Sequence, residues 1–327
     1  MKTQLKLYQM PENLEIRPSS FENFIGQKKL VETLQILISS SQKRKQSLDH
    51  ILFYGPPGTG KTTLANIVAN VLEAKIKYVQ GPLLEKKSDV LAVLANISPD
   101  TIIFIDEIHG INKNIEELLY SAMEEFVIDL QIGVDGERKI MRMKLPQFTL
   151  IGASTKLAQI STPLQNRFGY VAKIVDYTLE DMIQIIRNSS AVLKLKMNTE
   201  IIKYIASFSN NTPRIANNLL KRIRDFALVL NAKRIDKDIV NKTFDSIGIY
   251  NQGLSQINIE YLNLLVKIFK GKSVALDVIA NVLKEHRQTI INIIEPPLIE
   301  KELIEKTSRG RRITKKGRDY LLELKTN

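Results

Sequence analysis

Short apolar runs alternate with helix-like patterns along the first half of the chain. Three runs are rich in β-branched or aromatic residues and end at chain breakers or polar residues: Ile51–Tyr54, Thr101–Ile105 and Phe148–Gly152. Such unbroken runs are typical of strands that are buried on both faces of a parallel sheet. Between them, apolar residues recur at helical spacing, as in Leu64, Ile67, Val68 and Val71. The alternation predicts an α/β domain built on a parallel sheet.

One insertion interrupts this alternation. Residues 128–148 predict a hairpin with its turn at Val134-Asp135-Gly136-Glu137, because Asp-Gly is a strong hairpin signal. The arm from Ile140 to Leu145 alternates apolar and basic residues. Most such hairpins are plain structure, but the apolar face also makes this one a candidate docking element.

The second half of the chain has helical spacing almost throughout. Thr212-Pro213 is a good helix start within a predicted bundle. Further helices precede two short apolar stretches around Ser308-Arg309-Gly310, an order typical of a winged helix-turn-helix. We therefore predict three domains, at residues 1–178, 179–249 and 250–327.

The composition narrows the class of function. The 327 residues are 44% hydrophobic and 25% charged, which is typical of globular proteins. The absence of cysteine excludes disulfides, cysteine-ligated metals and a cysteine nucleophile, and favours a reducing compartment. No apolar run approaches the roughly 18 residues that span a bilayer, and the first residues lack the apolar stretch of a signal peptide. We expect a cytoplasmic protein without a membrane partner.

The net charge of +12 favours a polyanionic partner, of which nucleic acid is the commonest; basicity for solubility alone is the alternative. Residues 306–318 hold seven cations and no acid, on the predicted wing. We expect the wing to bind the DNA backbone without reading sequence, unless this is merely a solvated basic tail. The candidate DNA contacts are Lys306, Arg309, Arg311 and Arg312.

A phosphate-binding motif follows the first apolar run. Gly55–Thr62 matches G-x-x-x-x-G-K-[ST], after a predicted strand and before a predicted helix. The glycines allow backbone amides to point at phosphate oxygens. We expect Lys61 to neutralise the β- and γ-phosphates and the Thr62 hydroxyl to bind Mg²⁺. The candidate nucleotide ligands here are Gly58, Thr59, Gly60, Lys61, Thr62 and Thr63.

Polar residues also end the next two apolar runs. Asp106 and Glu107 follow the second run, and we assign Asp106 to the metal and Glu107 to the base that activates water. Ser154 and Thr155 follow the third run, where a hydroxyl can contact the γ-phosphate or the attacking water; both are also ordinary strand-end residues. His109 receives no role from the sequence.

These motifs resemble the AAA+ class of ATPases, and the surrounding segments are similar to one of its families, the RuvB motors of bacterial Holliday-junction branch migration. The resemblance covers roughly residues 16–314 and is carried by these segments: Leu48-Asp49-His50, Gly55–Thr62, Asp106–His109, Tyr120–Phe126, Pro163–Gly169, Thr212–Asn217, Glu295–Ile299 and Ser308–Arg311. It implies an α/β AAA+ P-loop ATPase domain with a parallel sheet, a small helical lid domain and a winged-helix domain. It also implies ATP and Mg²⁺ as cofactors, and DNA-dependent ATP hydrolysis that drives branch migration in recombination and repair.

The resemblance further implies a homohexameric ring with nucleotide between subunits. Arg167 takes the position of an arginine finger acting on a neighbour's site, and Arg214 takes the second sensor position. Other implied nucleotide contacts are Ile16, Arg17 and Tyr177 around adenine, and Glu124, Glu125 and Phe126 facing the neighbour. The implied partners are double-stranded and four-way junction DNA, a RuvA-like protein docked on the 128–148 hairpin, and a RuvC-like resolvase.

Some residues depart from the family pattern. Gly110 and Lys306 stand where arginines are usual, and Gln165-Asn166 replaces a more charged pair. Lysine keeps the charge but loses the bidentate fork of arginine. Ser121 and Ser308 replace prolines. None of these changes removes a group that the chemistry requires.

Two alternative functions remain open from the sequence. A sliding-clamp loader would share the ATPase motifs, but here Ser161-Thr162-Pro163 replaces the Ser-Arg-Cys of that class and the carboxyl end predicts a wing. A DNA-binding regulator that uses ATP only as a switch would show sequence-selective binding and little turnover.

Overall fold

Seven strands belong to the first part of the chain in this computed structural model, which describes residues 16–132 and 139–326. They are β1 (Ile51–Tyr54), β2 (Ile76–Gln80), β3 (Thr101–Asp106), β4 (Val127–Ile132), β5 (Lys139–Lys144), β6 (Phe148–Ser154) and β7 (Tyr170–Lys173). Five of them form one parallel sheet in the order β2-β3-β6-β1-β7. The predicted parallel sheet is thus confirmed, and all three predicted runs are strands within it.

Six helices accompany these strands: α1 (Lys28–Arg44), α2 (Lys61–Val71), α3 (Lys87–Leu94), α4 (Lys113–Glu124), α5 (Thr162–Gln165) and α6 (Leu179–Val192). Successive residues of β1 enter two separate apolar cores. Ile51 and Phe53 pack in the core that contains residues of α1 and α2, whereas Leu52 packs in the core that contains residues of α3 and α4. Side chains of a strand alternate between its two faces, so the sheet is covered by helices on both sides.

The two outer strands of this sheet, β2 and β7, are not evident in the sequence pattern. Four of the five residues of β2 are only partly buried, and Lys77 interrupts its apolar run. β7 has four residues, of which only Ala172 is buried. An edge strand is covered less completely than a central one, so its sequence carries a weaker apolar signal.

β4 and β5 form the predicted hairpin. They pair antiparallel from Val127 opposite Lys144 to Ile132 opposite Lys139. The exposed Asp129 and Arg142 form a two-point ion pair across the strands, at 2.8 and 2.9 Å. The turn predicted at residues 134–137 lies outside the described residues.

The remaining elements are mostly helical. They are α7 (Thr199–Ser207), α8 (Pro213–Val229), α9 (Lys237–Ile247), β8 (Ile249–Tyr250), β9 (Leu254–Ser255), α10 (Gln256–Lys267), α11 (Leu276–Leu283), α12 (Arg287–Thr289), α13 (Glu295–Glu300), β10 (Ile304–Thr307), β11 (Gly310–Ile313) and α14 (Lys315–Thr326). Contacts divide the chain into two compact units, Met1–Leu195 with Asn211–Leu220 and Lys196–Asn210 with Lys221–Asn327. The predicted domain limits at 178 and 249 stay predictions.

A π-helical turn at Ile290–Ile294 joins α12 to α13. Pro296 and Pro297 follow it and have no N–H to donate, which disrupts the regular helical ladder. The side-chain amide of the buried Asn258 donates a hydrogen bond to the Ile294 carbonyl at 2.9 Å and satisfies it. The helical segment from Arg287 to Glu300 therefore contains a change of helical type.

β10 and β11 form the predicted wing, pairing from Ile304 opposite Ile313 to Thr307 opposite Gly310. Val274 extends the wing through two backbone hydrogen bonds with Arg311, at 2.8 and 2.9 Å. Gly310 has φ +129°, and a Cβ there would lie 2.0 Å from the Val274 carbonyl oxygen. Only glycine allows this close pairing. In the part of the chain that the structure describes, no helix has both the length and the apolar character needed to cross a membrane.

Candidate functional site

The predicted phosphate loop connects β1 to the first residue of α2. Gly55, Gly58 and Gly60 have φ angles of +148°, +79° and +108°. A Cβ at Gly55 would lie 2.3 Å from the carbonyl oxygen of Ile174. The loop therefore lies directly against the backbone at the end of β7. Glycine is required for both the backbone angles and the close approach.

Lys61 begins α2 and points back into this loop. Its side chain is buried, and Nζ donates to the carbonyl oxygens of Gly55 and Pro56, both at 2.8 Å. Burial lowers the pKa of Lys61, while the carboxylates of Glu107 and Asp106 oppose this change. The loop therefore holds a poorly hydrated cation at the positive end of a helix dipole, which is a favourable place for phosphate.

Asp106 and Glu107 lie beside this cation at the carboxyl end of β3. Asp106 Oδ1 accepts a hydrogen bond from the Glu107 amide at 3.0 Å. Burial raises the pKa of Asp106, and the nearby charges of Lys61 and Arg214 oppose the rise. Glu107 has a left-handed φ of +48°, which turns the chain sharply at the strand end.

Glu107 is connected to the end of β6. Its Oε2 accepts hydrogen bonds from the Thr155 amide at 3.3 Å and the Thr155 hydroxyl at 3.1 Å. His109 Nδ1 lies 3.1 Å from the same oxygen and 3.0 Å from Ser154 Oγ. Ser154 is fully buried and its hydroxyl also accepts from the Lys156 amide at 2.9 Å. The structure thus brings both acids and both strand-end residues together, and it adds His109.

Tyr177 closes another side of the loop. Its hydroxyl donates to the Thr59 carbonyl oxygen at 2.8 Å, and burial raises the pKa of Tyr177. Its ring lies against Gly26, where a Cβ would be 2.9 Å away, and Phe24 packs on Gly60. Ile16 is partly buried and Arg17 is exposed. We predicted Tyr177 at the nucleotide, but no sequence signal identified the contacts of Phe24 and Gly26.

Arg214, in the first turn of α8, contacts the same loop. Its amide donates a long hydrogen bond of 3.4 Å to the Gly58 carbonyl oxygen. A Cβ at Gly58 would lie 2.9 Å from Arg214 Cβ and 2.9 Å from Thr212 Cγ2. The backbone of the predicted second sensor is therefore fixed directly against the phosphate loop.

Arg167 lies elsewhere on the same unit, just after α5. Its guanidinium donates to the Pro163 carbonyl oxygen at 2.7 Å and pairs with Glu124 at 3.3 Å. It also stacks on the Tyr120 ring, with Cζ 4.2 Å from the ring centroid. Among the described contacts, none joins Arg167 to residues 55–62. Arg167 lines a cavity of about 340 Å³ together with Asp49, His50 and other residues.

The neighbouring segment Glu124–Phe126 has mixed surroundings. Glu125 pairs loosely with Arg142 of the hairpin, at 3.6 Å. Phe126 packs edge-on against Phe148 and near His50, at ring distances of 5.7 and 6.2 Å. His50 is buried, and burial lowers its pKa. Phe126 is thus packed against residues of its own chain, while the carboxylates of Glu124 and Glu125 are exposed.

The four candidate DNA-binding cations of the wing differ in their surroundings. Lys306 and Arg311 both pair with Glu295, at 3.2 and 2.7 Å. Arg312 pairs with Glu305 at 2.6 Å. Arg309, in the wing turn, has no ion pair within the described part of the chain. The acids come from outside residues 306–318, so the sequence count of seven unopposed cations overstates the free charge.

Glu295 is fully buried at the centre of this arrangement. The Tyr261 hydroxyl donates to its Oε1 at 3.0 Å, beside the Arg311 bond. Burial by itself would raise the pKa of Glu295, but the hydrogen bonds from Arg311, Tyr261 and Lys306 hold that pKa below its usual value. Only 17% of the Arg311 side chain is exposed, so Arg311 is mainly a structural cation.

A phosphate loop after β1 of a five-stranded parallel sheet, with adjacent acids at the carboxyl end of β3, defines a P-loop nucleotide-binding protein of the AAA+ class that also carries a winged helix. Three family models match the chain in sequence order. They are the Holliday junction DNA helicase RuvB P-loop domain over residues 16–174, the RuvB AAA lid domain over residues 177–250 and the RuvB C-terminal winged helix domain over residues 251–322.

Individual relatives agree with these models. The chain is 52% identical to the Holliday junction branch migration complex subunit RuvB of Mycoplasmopsis synoviae, over 94% of this chain and 98% of the relative. It is 50% identical to the subunit of the same name from Mycoplasmopsis pulmonis, over 95% and 99%. The solved Thermotoga maritima RuvB Holliday junction branch migration motor superposes with a TM-score of 0.79 at 36% identity, over 94% and 98%.

The chain therefore belongs to the RuvB family of Holliday junction branch-migration motors. This confirms the resemblance inferred from the motifs, and with it the fold class of P-loop ATPase, helical lid and winged helix.

Proposed function

We propose that this chain hydrolyses ATP to move DNA duplexes through Holliday junctions, as a motor subunit of branch migration. The observation that carries the proposal is the combination, on one RuvB-family chain, of a phosphate loop with adjacent acids and a basic winged helix. Clamp loading and ATP-switched regulation do not explain this combination in a chain about half identical to branch-migration subunits.

Residues of the first unit supply the groups for hydrolysis. Loop amides and Lys61 bind the β- and γ-phosphates, and Arg214 contacts the same nucleotide from α8. Glu107 takes the proton from the attacking water. In the described contacts Oε2 accepts both Thr155 hydrogen bonds and lies 3.1 Å from His109 Nδ1, so Oε1 is the oxygen that faces the attacking water in this proposal. Thr155 and His109 orient the carboxylate from the other side.

The same residues fit Mg²⁺ as part of a nucleotide complex. Thr62 and Asp106 would hold the ion, with phosphate oxygens and waters completing an octahedron, as is usual for this metal. Among the described residues, no group of three or more metal-ligating side chains forms a protein-only metal site. The bound ion would neutralise charge that develops on the phosphates.

The adenine end and the partner side of the site are proposed by position in the family pattern. Ile16, Arg17 and Tyr177 would surround adenine. Arg167 would reach the γ-phosphate bound by the neighbouring subunit of a homohexamer, with Glu124, Glu125 and Phe126 on the same face. The separation of Arg167 from its own phosphate loop supports a role in trans.

DNA would be bound by the winged helix through phosphate contacts that do not read sequence, as a moving motor requires. The local charges favour Arg309 as a direct contact, with Lys306 and Arg312 exchanging acidic partners for phosphates. The exposed Met141 on the β4–β5 hairpin supports docking of a RuvA-like protein there. A RuvC-like resolvase would act on the same junction.

The test is a branch-migration assay on a synthetic four-way junction, with phosphate release measured in parallel. Glu107→Gln should bind ATP but reduce turnover about 10²–10⁴-fold, because it removes a general base. Lys61→Ala should abolish nucleotide binding and both activities. Normal turnover by Glu107→Gln would refute the base assignment. Turnover without strand movement, even with a RuvA-like partner present, would refute the motor function.

A further inference from the structure

We propose that Tyr120 is a positioning residue for the arginine finger, and that its ring holds the Arg167 guanidinium ready for the neighbouring subunit. This inference rests on the proposed function, in which Arg167 acts in trans. Arg167 Cζ lies 4.2 Å from the Tyr120 ring centroid, well inside the range of cation–π attraction.

The ring is itself fixed at its far end. The Tyr120 hydroxyl lies 3.2 Å from Glu116 Oε2 and 3.1 Å from Ser161 Oγ. Glu116 is only 2% exposed, so this anchor is inside the protein. A tyrosine tethered at its hydroxyl cannot swing away from the cation above its face.

Ser161 connects this anchor to the segment that carries the finger. Its Oγ accepts a hydrogen bond from the Leu164 amide and so caps the short helix α5. The Pro163 carbonyl of that helix accepts the bond from Arg167 Nη1. The position of the Tyr120 ring and the position of the Arg167 backbone are therefore set by one hydroxyl cluster.

Three residues of α4 form the supporting surface, spaced four apart on one helix face: Glu116, Tyr120 and Glu124. Glu116 anchors the ring, Tyr120 supports the face of the guanidinium, and Glu124 pairs with Nη2 at 3.3 Å. Arg167 Nε is buried without a partner in the described structure. Stacking uses the face of the guanidinium and leaves Nη1 and Nη2 directed at Pro163 and Glu124.

This arrangement lowers the conformational entropy that the Arg167 side chain must lose when it acts on the neighbouring subunit. A free arginine side chain has many rotamers, and fixing it before the subunits meet removes part of that entropy loss. When phosphate approaches, the edge N–H groups can exchange Pro163 and Glu124 for phosphate oxygens while the stack on Tyr120 is kept. An opposite role, in which the ring stores the finger away from the neighbour, predicts the opposite change in activity.

The test uses mixed assemblies of two variants, in which ATP can be hydrolysed only where a finger from one variant meets the base of the other. Glu107→Gln subunits keep the finger, and Arg167→Ala subunits keep the base, so activity of the mixture reports fingers presented by the Glu107→Gln subunits. Adding Tyr120→Leu to those subunits should lower DNA-stimulated turnover of the mixture about 3- to 30-fold, the range of one cation–π contact. Tyr120→Phe in the same place keeps the ring and should lower turnover less.

The matched control puts Tyr120→Leu on the Arg167→Ala subunits, whose finger is already absent. Turnover should then be unchanged, and thermal melting should show that both double variants fold. Equal losses in the two placements, or a gain in activity, would overturn the role of Tyr120. An inactive parent mixture of Glu107→Gln with Arg167→Ala would instead refute the shared site, and the inference with it.

Discussion

Gly58 connects nucleotide binding to the start of α8. Its φ of +79° suits glycine, and the space where a Cβ would stand is bordered by Thr212 and Arg214 at 2.9 Å. A side chain at this position must push away the residue proposed to sense the nucleotide. Both the backbone angle and this contact therefore oppose substitution.

We expect Gly58→Ala to destabilise the first unit by about 1–3 kcal/mol, from strain and overpacking. Nucleotide affinity should fall at least about tenfold, since the loop amides and Arg214 are displaced together. Titration with a fluorescent ATP analogue and thermal melting would measure the two effects.

The matched control for this change is Gly248→Ala. Gly248 also has a positive φ, +66°, but a Cβ there meets only Gln256 Cβ at an ordinary 3.4 Å. The Gly248→Ala variant should be less stable than the unchanged protein by about 1 kcal/mol, with no change in nucleotide affinity. Equal nucleotide affinities of the Gly58→Ala variant and the unchanged protein would show that the loop tolerates displacement of Arg214.

In the wing, the role of each cation depends on whether it forms an ion pair with a nearby acid and on how buried that acid is. Arg311 lies on β11 with its guanidinium on the buried Glu295, whereas Arg309 lies in the turn without a described ion pair. Arg312 is between these cases, because its partner Glu305 is half exposed. Phosphate contacts release counterions, so the salt dependence of DNA binding separates these roles.

Arg309→Ala should reduce the slope of log K against log salt for duplex DNA by about 1, as expected for the loss of one phosphate contact. Glu305→Gln should have the opposite effect and raise DNA affinity a few fold, because it frees Arg312. Fluorescence anisotropy at several salt concentrations would measure both. Unchanged slopes in both variants would place the DNA contacts elsewhere.

Glu295 makes the stability of the winged helix depend on pH. Its folded pKa is lowered, so the folded state binds fewer protons than the unfolded state between that pKa and the unfolded value of about 4.3. The stabilisation is present above this window and is lost as pH falls through it. Glu295→Gln should remove this pH dependence and cost about 2 kcal/mol at neutral pH.

Hydrogen exchange of peptides from α10, α13 and the wing, followed by mass spectrometry, would measure this local stability. Glu302→Gln is the comparison, since Glu302 makes an exposed pair with Lys316 at 3.0 Å and should contribute little. Equal pH dependence in the Glu295→Gln variant and the unchanged protein would contradict the role given to Glu295.

The proposed active site cannot be completed by one copy of the chain. Arg167 is held against its own subunit and away from its own phosphate loop, so the proposed active site needs two copies of the chain. A finger that points from each copy to the next is a head-to-tail interface, which forms a ring when the rotation between successive copies closes.

We therefore expect Glu107→Gln and Arg167→Ala to be inactive alone and active when mixed. An equal mixture should reach about a quarter of the normal turnover, because a random ring joins an intact base to an intact finger at about one interface in four. Phosphate release with duplex DNA would measure this. Activity that merely adds the two residual rates would argue for a site within one subunit.

The sequence by itself determined the fold class and the phosphate chemistry. The loop Gly55–Thr62 and the pair Asp106-Glu107 are contiguous motifs whose backbone requirements are local, and the central strands carry strong apolar runs because helices cover both faces. Weakly covered strands and the π-turn at Ile290–Ile294 left no comparable signal.

Only the tertiary structure decided which side chains act together. Ser154 meets His109 from 45 positions away and Tyr177 meets Thr59 from 118, and nothing in the sequence pattern predicts either pairing. The same holds for Tyr120 beneath Arg167 and for Glu295 beneath the wing. Hydrogen bonds and ion pairs depend on distances of a few ångströms, and packing between distant segments sets those distances.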